Sequence, residues 1–66
     1  MKNKMKVYRA MRDMTQEELA ARLRVTRRTI NAIEGDKYNP SIELAFRISR
    51  LFGVPVDEMF IFEEEK

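Results

Sequence analysis

The sequence predicts an all-α domain organised around two short amphipathic helices and the turn between them, over residues 15–35. Three observations carry that expectation. Among 66 residues there are only two glycines and two prolines, while Ala, Leu, Ile, Glu and Arg, mostly residues at ease in helices, are abundant. Thr15 and Glu18 stand at the T-x-x-E spacing of a capping box, just before the apolar-periodic run LAARL. Glycines at 35 and 53 fall where two further periodic segments run out, a usual stopping place for a helix.

Taken in order, residues 3–12 read as a first helix, with Asn3 as its cap and Met5, Tyr8, Arg9 and Arg12 on one face at helical spacing. Val7 and Met11 form a second apolar stripe roughly opposite. It is open to burial under the C-terminal segment or to a subunit interface. Thr15 caps a second helix running to about Leu23, with Leu19, Ala20 and Leu23 turned inward. Ala20 is small enough to let another helix approach closely. After the turn Leu23-Arg24-Val25, Thr26 caps a third helix whose inner face is Ile30 and Ile33, with Glu34 at its edge and Gly35 as its stop.

Residues 36–40, DKYNP, form a polar irregular loop. Ser41 then caps a fourth helix, with Glu43 in the first turn and an apolar face of Ile42, Ala45, Ile48, Leu51 and Phe52 ending at Gly53. Pro55 opens a last helical turn from Val56 to about Phe60. Phe60-Ile61-Phe62 is β-prone but too short to stand alone, so it needs the N-terminal segment or a second copy of the chain to pair with. No repeat or linker interrupts the chain, and residues 1–66 read as one domain with a core at 15–35 and a tail at 60–66.

Composition excludes several function classes. With no cysteine and no histidine, the chain lacks a thiolate nucleophile, the commonest general base and the commonest zinc ligands. No carboxylates are spaced as a calcium loop, so neither a metal nor a cofactor is expected, and the chain does not read as an enzyme. No apolar run approaches the roughly 20 residues of a membrane-spanning helix. The basic start MKNKMKVYR lacks the apolar stretch of a signal peptide. A cytoplasmic protein is expected. The net charge of +2 is unevenly spread: residues 1–50 carry 12 Lys/Arg against 6 Asp/Glu, and residues 51–66 carry 1 against 5. A basic body suits a polyanion, and the acidic tail suits solvent or a protein partner.

A helix, a turn of three to four residues and a second helix make a helix-turn-helix, whose second member can lie in the major groove of DNA. What lifts the pattern above an ordinary helical hairpin is the polar face of the third helix. Arg27 and Arg28 open it, and Thr29 and Asn31 follow. Arginine can bond guanine O6 and N7 together, asparagine can bond adenine N6 and N7, and a threonine methyl can touch thymine. Two adjacent arginines at a capped N-terminus also oppose the helix dipole, a placement that suggests a use other than helix stability.

The segments TQEELA and TINAIEGDKYNPS resemble the phage repressor/Cro-like (XRE-type) family of helix-turn-helix regulators. The resemblance spans Lys4 to Phe60 and implies a five-helix DNA-binding domain, most similar to the short stand-alone prokaryotic members. It implies that Gln16 holds a DNA phosphate through its side chain and backbone amide. By the same resemblance Thr26 caps and touches the backbone, and Arg27, Arg28 and Thr29 face bases. Asn31 then matches a position contacting phosphate or a base, while Lys37, Tyr38 and Asn39 lie along the sugar-phosphate backbone. It further implies a buried ion pair between Arg9 and Glu34 behind the reading head. Two positions depart from the family pattern: Asp13-Met14 replaces Gly-Leu before Thr15, and Arg24 replaces the glycine of the turn. A positive φ there costs other residues roughly 1–2 kcal/mol, which leaves the pitch of the third helix open at this point.

The expected function is sequence-specific binding of double-stranded DNA by a transcriptional regulator, a repressor. It would act as a homodimer on a palindromic operator, reading the major groove with residues 26–35. The spare apolar residues Val7, Met11, Phe46, Phe60 and Phe62 would build that dimer or the packing beneath it. The alternative is an antitoxin-like interaction module whose acidic C-terminal tail engages a protein partner. The Arg27/Arg28 face separates the two, since interaction alone has no need of it.

Overall fold

A computed structural model describes residues 1–62 of the chain; the acidic tail of residues 63–66, invoked above as a partner-binding segment, lies outside the described residues. The elements are β1 (Lys2–Asn3), α1 (Met5–Met11), α2 (Gln16–Leu23), α3 (Arg27–Glu34), α4 (Ile42–Phe52), α5 (Val56–Met59) and β2 (Phe60–Ile61). β1 and β2 pair antiparallel, Lys2 opposite Ile61 and Asn3 opposite Phe60. The β-prone C-terminal residues therefore find their partner within the chain, and the N-terminal segment is the one they find.

Local chemistry explains most boundaries. At the start of α2, the Glu18 backbone N–H donates to Thr15 Oγ1 (3.0 Å) and the Thr15 N–H donates to Glu18 Oε1 (2.8 Å), completing the capping box. Thr26 accepts from the Thr29 N–H at the start of α3, and Ser41 accepts from the Leu44 N–H at the start of α4. The Thr15 backbone bond, and then its hydroxyl, hold the Glu18 carboxyl below the usual carboxylate range. A depressed pKa contributes stability that is fully present above the unfolded-state pKa and is lost as pH falls through the folded one. Wild type is therefore expected to melt above Glu18→Gln at neutral pH, with the gap closing as the solution is acidified below the carboxylate range. A gap constant with pH would remove the charge from the account of this cap.

The chain leaves its helices through left-handed residues. Gly53 takes φ 70° after α4 without a Cβ to strain, whereas Asp13 (56°), Arg24 (60°) and Asp36 (61°) adopt the same region with one. Arg24 thus accepts the conformation for which the family uses glycine, and the turn keeps its shape: the N–H groups of Arg24 and Val25 close onto the Ala21 and Ala20 carbonyls at 3.3 and 3.0 Å. Arg24→Gly relieves about 1–2 kcal/mol of strain but adds unfolded-state freedom costing about 0.4–1 kcal/mol. A net stabilisation of about 1 kcal/mol is expected, seen as a melting temperature raised by about 4–8 °C. A lower melting temperature would mean that the Arg24 side chain contributes more than its backbone costs.

The core joins every helix. Met5, Leu19, Leu23, Ile30, Ile33, Ile48 and Met59 are fully buried, with Met14, Ala20, Leu44, Phe52 and Phe60 around them. Two arginines tie helix ends to one another across it. Arg12 donates to the Leu51 and Phe52 carbonyls (2.9 and 3.1 Å), closing the C-terminus of α4 while its guanidinium lies 5.2 Å from the Phe52 ring centroid. Arg47 donates to the Leu23 carbonyl at the C-terminus of α2. Orphan carbonyls of helix ends are satisfied in this way by side chains from elsewhere.

Three expectations need correction, and a fourth, Gly35 as the stop of α3, holds with a different backbone geometry. The first helix begins at Met5 rather than at residue 3, because Asn3 pairs with Phe60. Asn3 still acts as a hinge-pin, its Oδ1 accepting from the Met5 N–H (3.1 Å) and its Nδ2 donating to the Ile33 carbonyl (2.8 Å). Gly35 stops α3 at φ −87°, the left-handed residue being Asp36; a Cβ at Gly35 would stand only 3.3 Å from the Asn31 carbonyl. On α4, Leu44 is buried and Ile42 is 78% exposed, since Ile42 lies about 160° around the helix from Leu44 at 3.6 residues per turn. Val7 and Met11 are 56% and 73% exposed. Burial under the C-terminal segment fails because that segment is spent on pairing with Lys2 and Asn3.

Candidate nucleic-acid interface

The turn and its two caps fix how α3 is presented. Ile30 and Ile33 bury one side of α3 in the core, so the opposite side, with Arg27, Arg28 and Asn31, is exposed. These three side chains line one shallow concavity. Thr29 is half-buried, and its hydroxyl shares a 3.0 Å hydrogen bond with Thr26 Oγ1. The first turn of α3 contains no acidic residue to offset its two arginines. A cationic, hydrogen-bonding ridge on a capped helix can meet polyanionic backbone and the acceptors of base edges alike.

Behind the ridge sits a buried carboxylate. The Glu34 side chain is only 2% exposed, and it accepts from Arg9 Nε (2.9 Å) and Nη2 (3.1 Å) and from Gln16 Nε2 (3.0 Å). Arg9 Nη1 donates in addition to the Met14 carbonyl at 2.9 Å. The pair implied by the family resemblance is formed, and Gln16 is part of it. Gln16 then accepts from Arg27 Nε at 3.4 Å. Neither bond of this glutamine could be read from residue order, because both depend on α2 and α3 meeting.

Lys37, Tyr38 and Asn39 are exposed in the loop between α3 and α4, on the C-terminal side of α3. Asn39 Oδ1 accepts from the N-terminal amine at 3.1 Å, which ties this loop to the strand segment. The five apolar residues expected at an interface do not gather in one place. Phe46 and Phe60 line a groove with Met1, Pro40, Ile42, Ala45 and Val56. Phe62 lines a separate recess beside Asp36 and Asn39, and Val7 and Met11 line neither. Phe60 is 6% exposed and forms part of the core. Among the described residues no group of three or more acidic, His or Cys side chains could hold a metal ion, and no helix is long and apolar enough to cross a membrane.

A family model described as Helix-turn-helix matches residues 5–59 of the chain. The chain belongs to the helix-turn-helix family, in its phage repressor/Cro-like branch. It is 53% identical over 66 residues, the whole of both chains, to an HTH-type transcriptional regulator of Methanocaldococcus jannaschii. A second such regulator, from Archaeoglobus fulgidus, is 48% identical over 66 residues, the whole of this chain and 93% of the relative. The similarly described YgzD of Bacillus subtilis is 43% identical over 65 residues, 98% of each chain. Family membership accounts for the α2–turn–α3 unit, and the exposed cations on α3 occupy the face that a helix-turn-helix turns outward.

Proposed function

We propose that this helix-turn-helix protein is a sequence-specific regulator of transcription that binds double-stranded DNA with α3 in the major groove. The observation that carries the reading is the exposed Arg27–Arg28–Asn31 face on a capped helix whose other side is locked into the core. Gln16 at the start of α2, Thr26 and Thr29 at the start of α3 and the loop residues Lys37, Tyr38 and Asn39 flank it as contacts to sugar and phosphate. The protein acts as a repressor in the cytoplasm, occupying its operator.

One α3 spans only a few base pairs, so the reading includes a homodimer whose two α3 helices stand about 34 Å apart on a palindromic site. The groove between α4 and α5 supports a second copy as occupant. Ile42 and Phe46 protrude beside a floor of Ala45, Val56 and Phe60, so one patch carries both knob and hole, as a two-fold interface requires.

The test is binding to selected and random duplexes across a salt series, comparing wild type with the Arg27→Ala/Arg28→Ala double variant. Losing one base contact costs about 1–3 kcal/mol, and losing one phosphate contact lowers the salt slope by about 1. Both losses are expected together in the double variant. A wild-type protein that prefers no duplex over random DNA would return the chain to the interaction-module reading.

A further inference from the structure

Asn3 stands where three elements meet. Its backbone pairs with Phe60, its Oδ1 accepts from the Met5 N–H at the start of α1 (3.1 Å), and its Nδ2 donates to the Ile33 carbonyl of α3 (2.8 Å). The two ends of the amide cannot be exchanged, since a main-chain N–H only donates and a carbonyl only accepts. β1 thus touches α3 as well as β2. The bond to Ile33 is not needed to finish α3. The Ile33 carbonyl already accepts from the Asp36 N–H (3.1 Å), and the Asn31 and Ala32 carbonyls accept from Gly35 and Lys37 (3.0 and 2.9 Å). What Asn3 adds is a tie between the far end of α3 and a strand whose partner, Phe60, lines the apolar groove between α4 and α5. Lys4 strengthens the link on the strand side, its N–H donating to the Met59 carbonyl at the end of α5 (2.9 Å).

We propose that Asn3 sets the half-site spacing that the protein recognises: it fixes α3 relative to the seam between the two copies, and so fixes the distance and twist between the two α3 helices. The inference rests on the DNA-binding homodimer proposed above and deepens it. Half-sites one base pair too close or too far displace the two α3 helices relative to one another by about 3.4 Å and about 34°. The dimer can follow only by shifting α3 against its own groove wall. Each tie between the two raises the cost of that shift. A single half-site demands no shift, because one α3 settles on it alone. Asn3 is therefore a positioning residue for spacing, acting through α3 rather than on a base.

The experiment measures affinity for a single half-site duplex and for palindromic duplexes whose spacing runs in one-base-pair steps across the preferred one. Asn3→Asp keeps an acceptor for the Met5 N–H and has no N–H to offer Ile33. Asn3→Ser does the same without adding charge. Both are first shown folded by their melting curves; if one does not fold, the other decides. Wild type is expected to prefer one spacing. In each variant that preference over the neighbouring spacings is expected to fall about threefold, and at most about tenfold, the range one neutral hydrogen bond can sustain. Half-site affinity is expected to stay unchanged. A spacing preference kept in the folded variants would overturn the inference. So would an equal loss on half-site and palindromes, or failure of both variants to fold, since Asn3 would then serve the subunit alone. A fall in Asn3→Asp without one in Asn3→Ser would assign the effect to the added charge and overturn it too, as would a dimeric wild type that binds every spacing alike. Wild type gaining nothing from the second half-site would instead remove the homodimer, and the inference with it. Wild type preferring no duplex over random DNA would remove the DNA-binding reading itself.

Discussion

Arg9→Met is expected to leave this domain mostly unfolded near room temperature. The substitution strands the Glu34 carboxylate, 2% exposed, with only the Gln16 amide as partner. Removing one member of a buried ion pair costs about 3–5 kcal/mol, because the remaining charge is left uncompensated. A single core in a chain this short supplies little more than about 3–5 kcal/mol in total, so the loss is comparable with the whole. The same removal also frees the Met14 carbonyl, to which Arg9 Nη1 donates. Urea denaturation of Arg9→Met against Arg9→Met/Glu34→Leu separates the charge from the volume. The double variant is expected to recover much of the stability, since an apolar replacement of the pair carries no stranded charge. A single variant within about 1 kcal/mol of wild type would show that the pair is solvated well enough to be dispensable.

Phe46→Glu is expected to abolish tight operator binding while leaving the fold intact. Phe46 is 54% exposed on α4 at the edge of the apolar groove, so the monomer loses little by the change. Two copies facing each other across a two-fold axis would instead bring two carboxylates into an apolar seam, at a desolvation cost neither can recover. In the proposed homodimer, losing the second subunit removes the second α3 from the same molecule. Affinity for a palindromic duplex then falls by about 10²–10⁴, the usual advantage of linked sites. Sizing by light scattering gives the mass directly, and binding to half-site and full-site duplexes gives the affinity. A Phe46→Glu protein that still sizes as a dimer would move the interface elsewhere, with Val7 and Met11 on α1 the next exposed apolar pair.

Much of the helical framework was legible because its causes are local. A T-x-x-E box, a threonine or serine before a periodic run and a glycine at φ 70° each act within about four residues, and Thr15, Thr26, Ser41 and Gly53 all sit where their residue types direct. The inner faces of α2 and α3 were legible too, since burial of Leu19, Leu23, Ile30 and Ile33 follows helical spacing. What escaped depends on contacts between distant segments. Arg12 and Arg47 serve main-chain carbonyls 39–40 and 24 residues away, and a carbonyl has no identity that a sequence can display. Ile42 was misassigned because apolar character at the first turn of a helix does not say which side of it is covered. At the candidate interface the residue types of α3 were open to reading, but the bonds from Gln16 to Glu34 and Arg27 emerge only once two helices have met.

The short pairing of Lys2 and Asn3 with Ile61 and Phe60 also bears on the order in which this chain takes shape. The α2–turn–α3 unit draws on neighbours and can assemble early, whereas Asn3 and Lys4 must wait for partners at Phe60 and Met59. The clasp between the two extremities is therefore a late event in folding, and through Asn3 it also grips the Ile33 carbonyl at the far end of α3. A nascent chain can carry α3 before it carries the fastener that finally seats it.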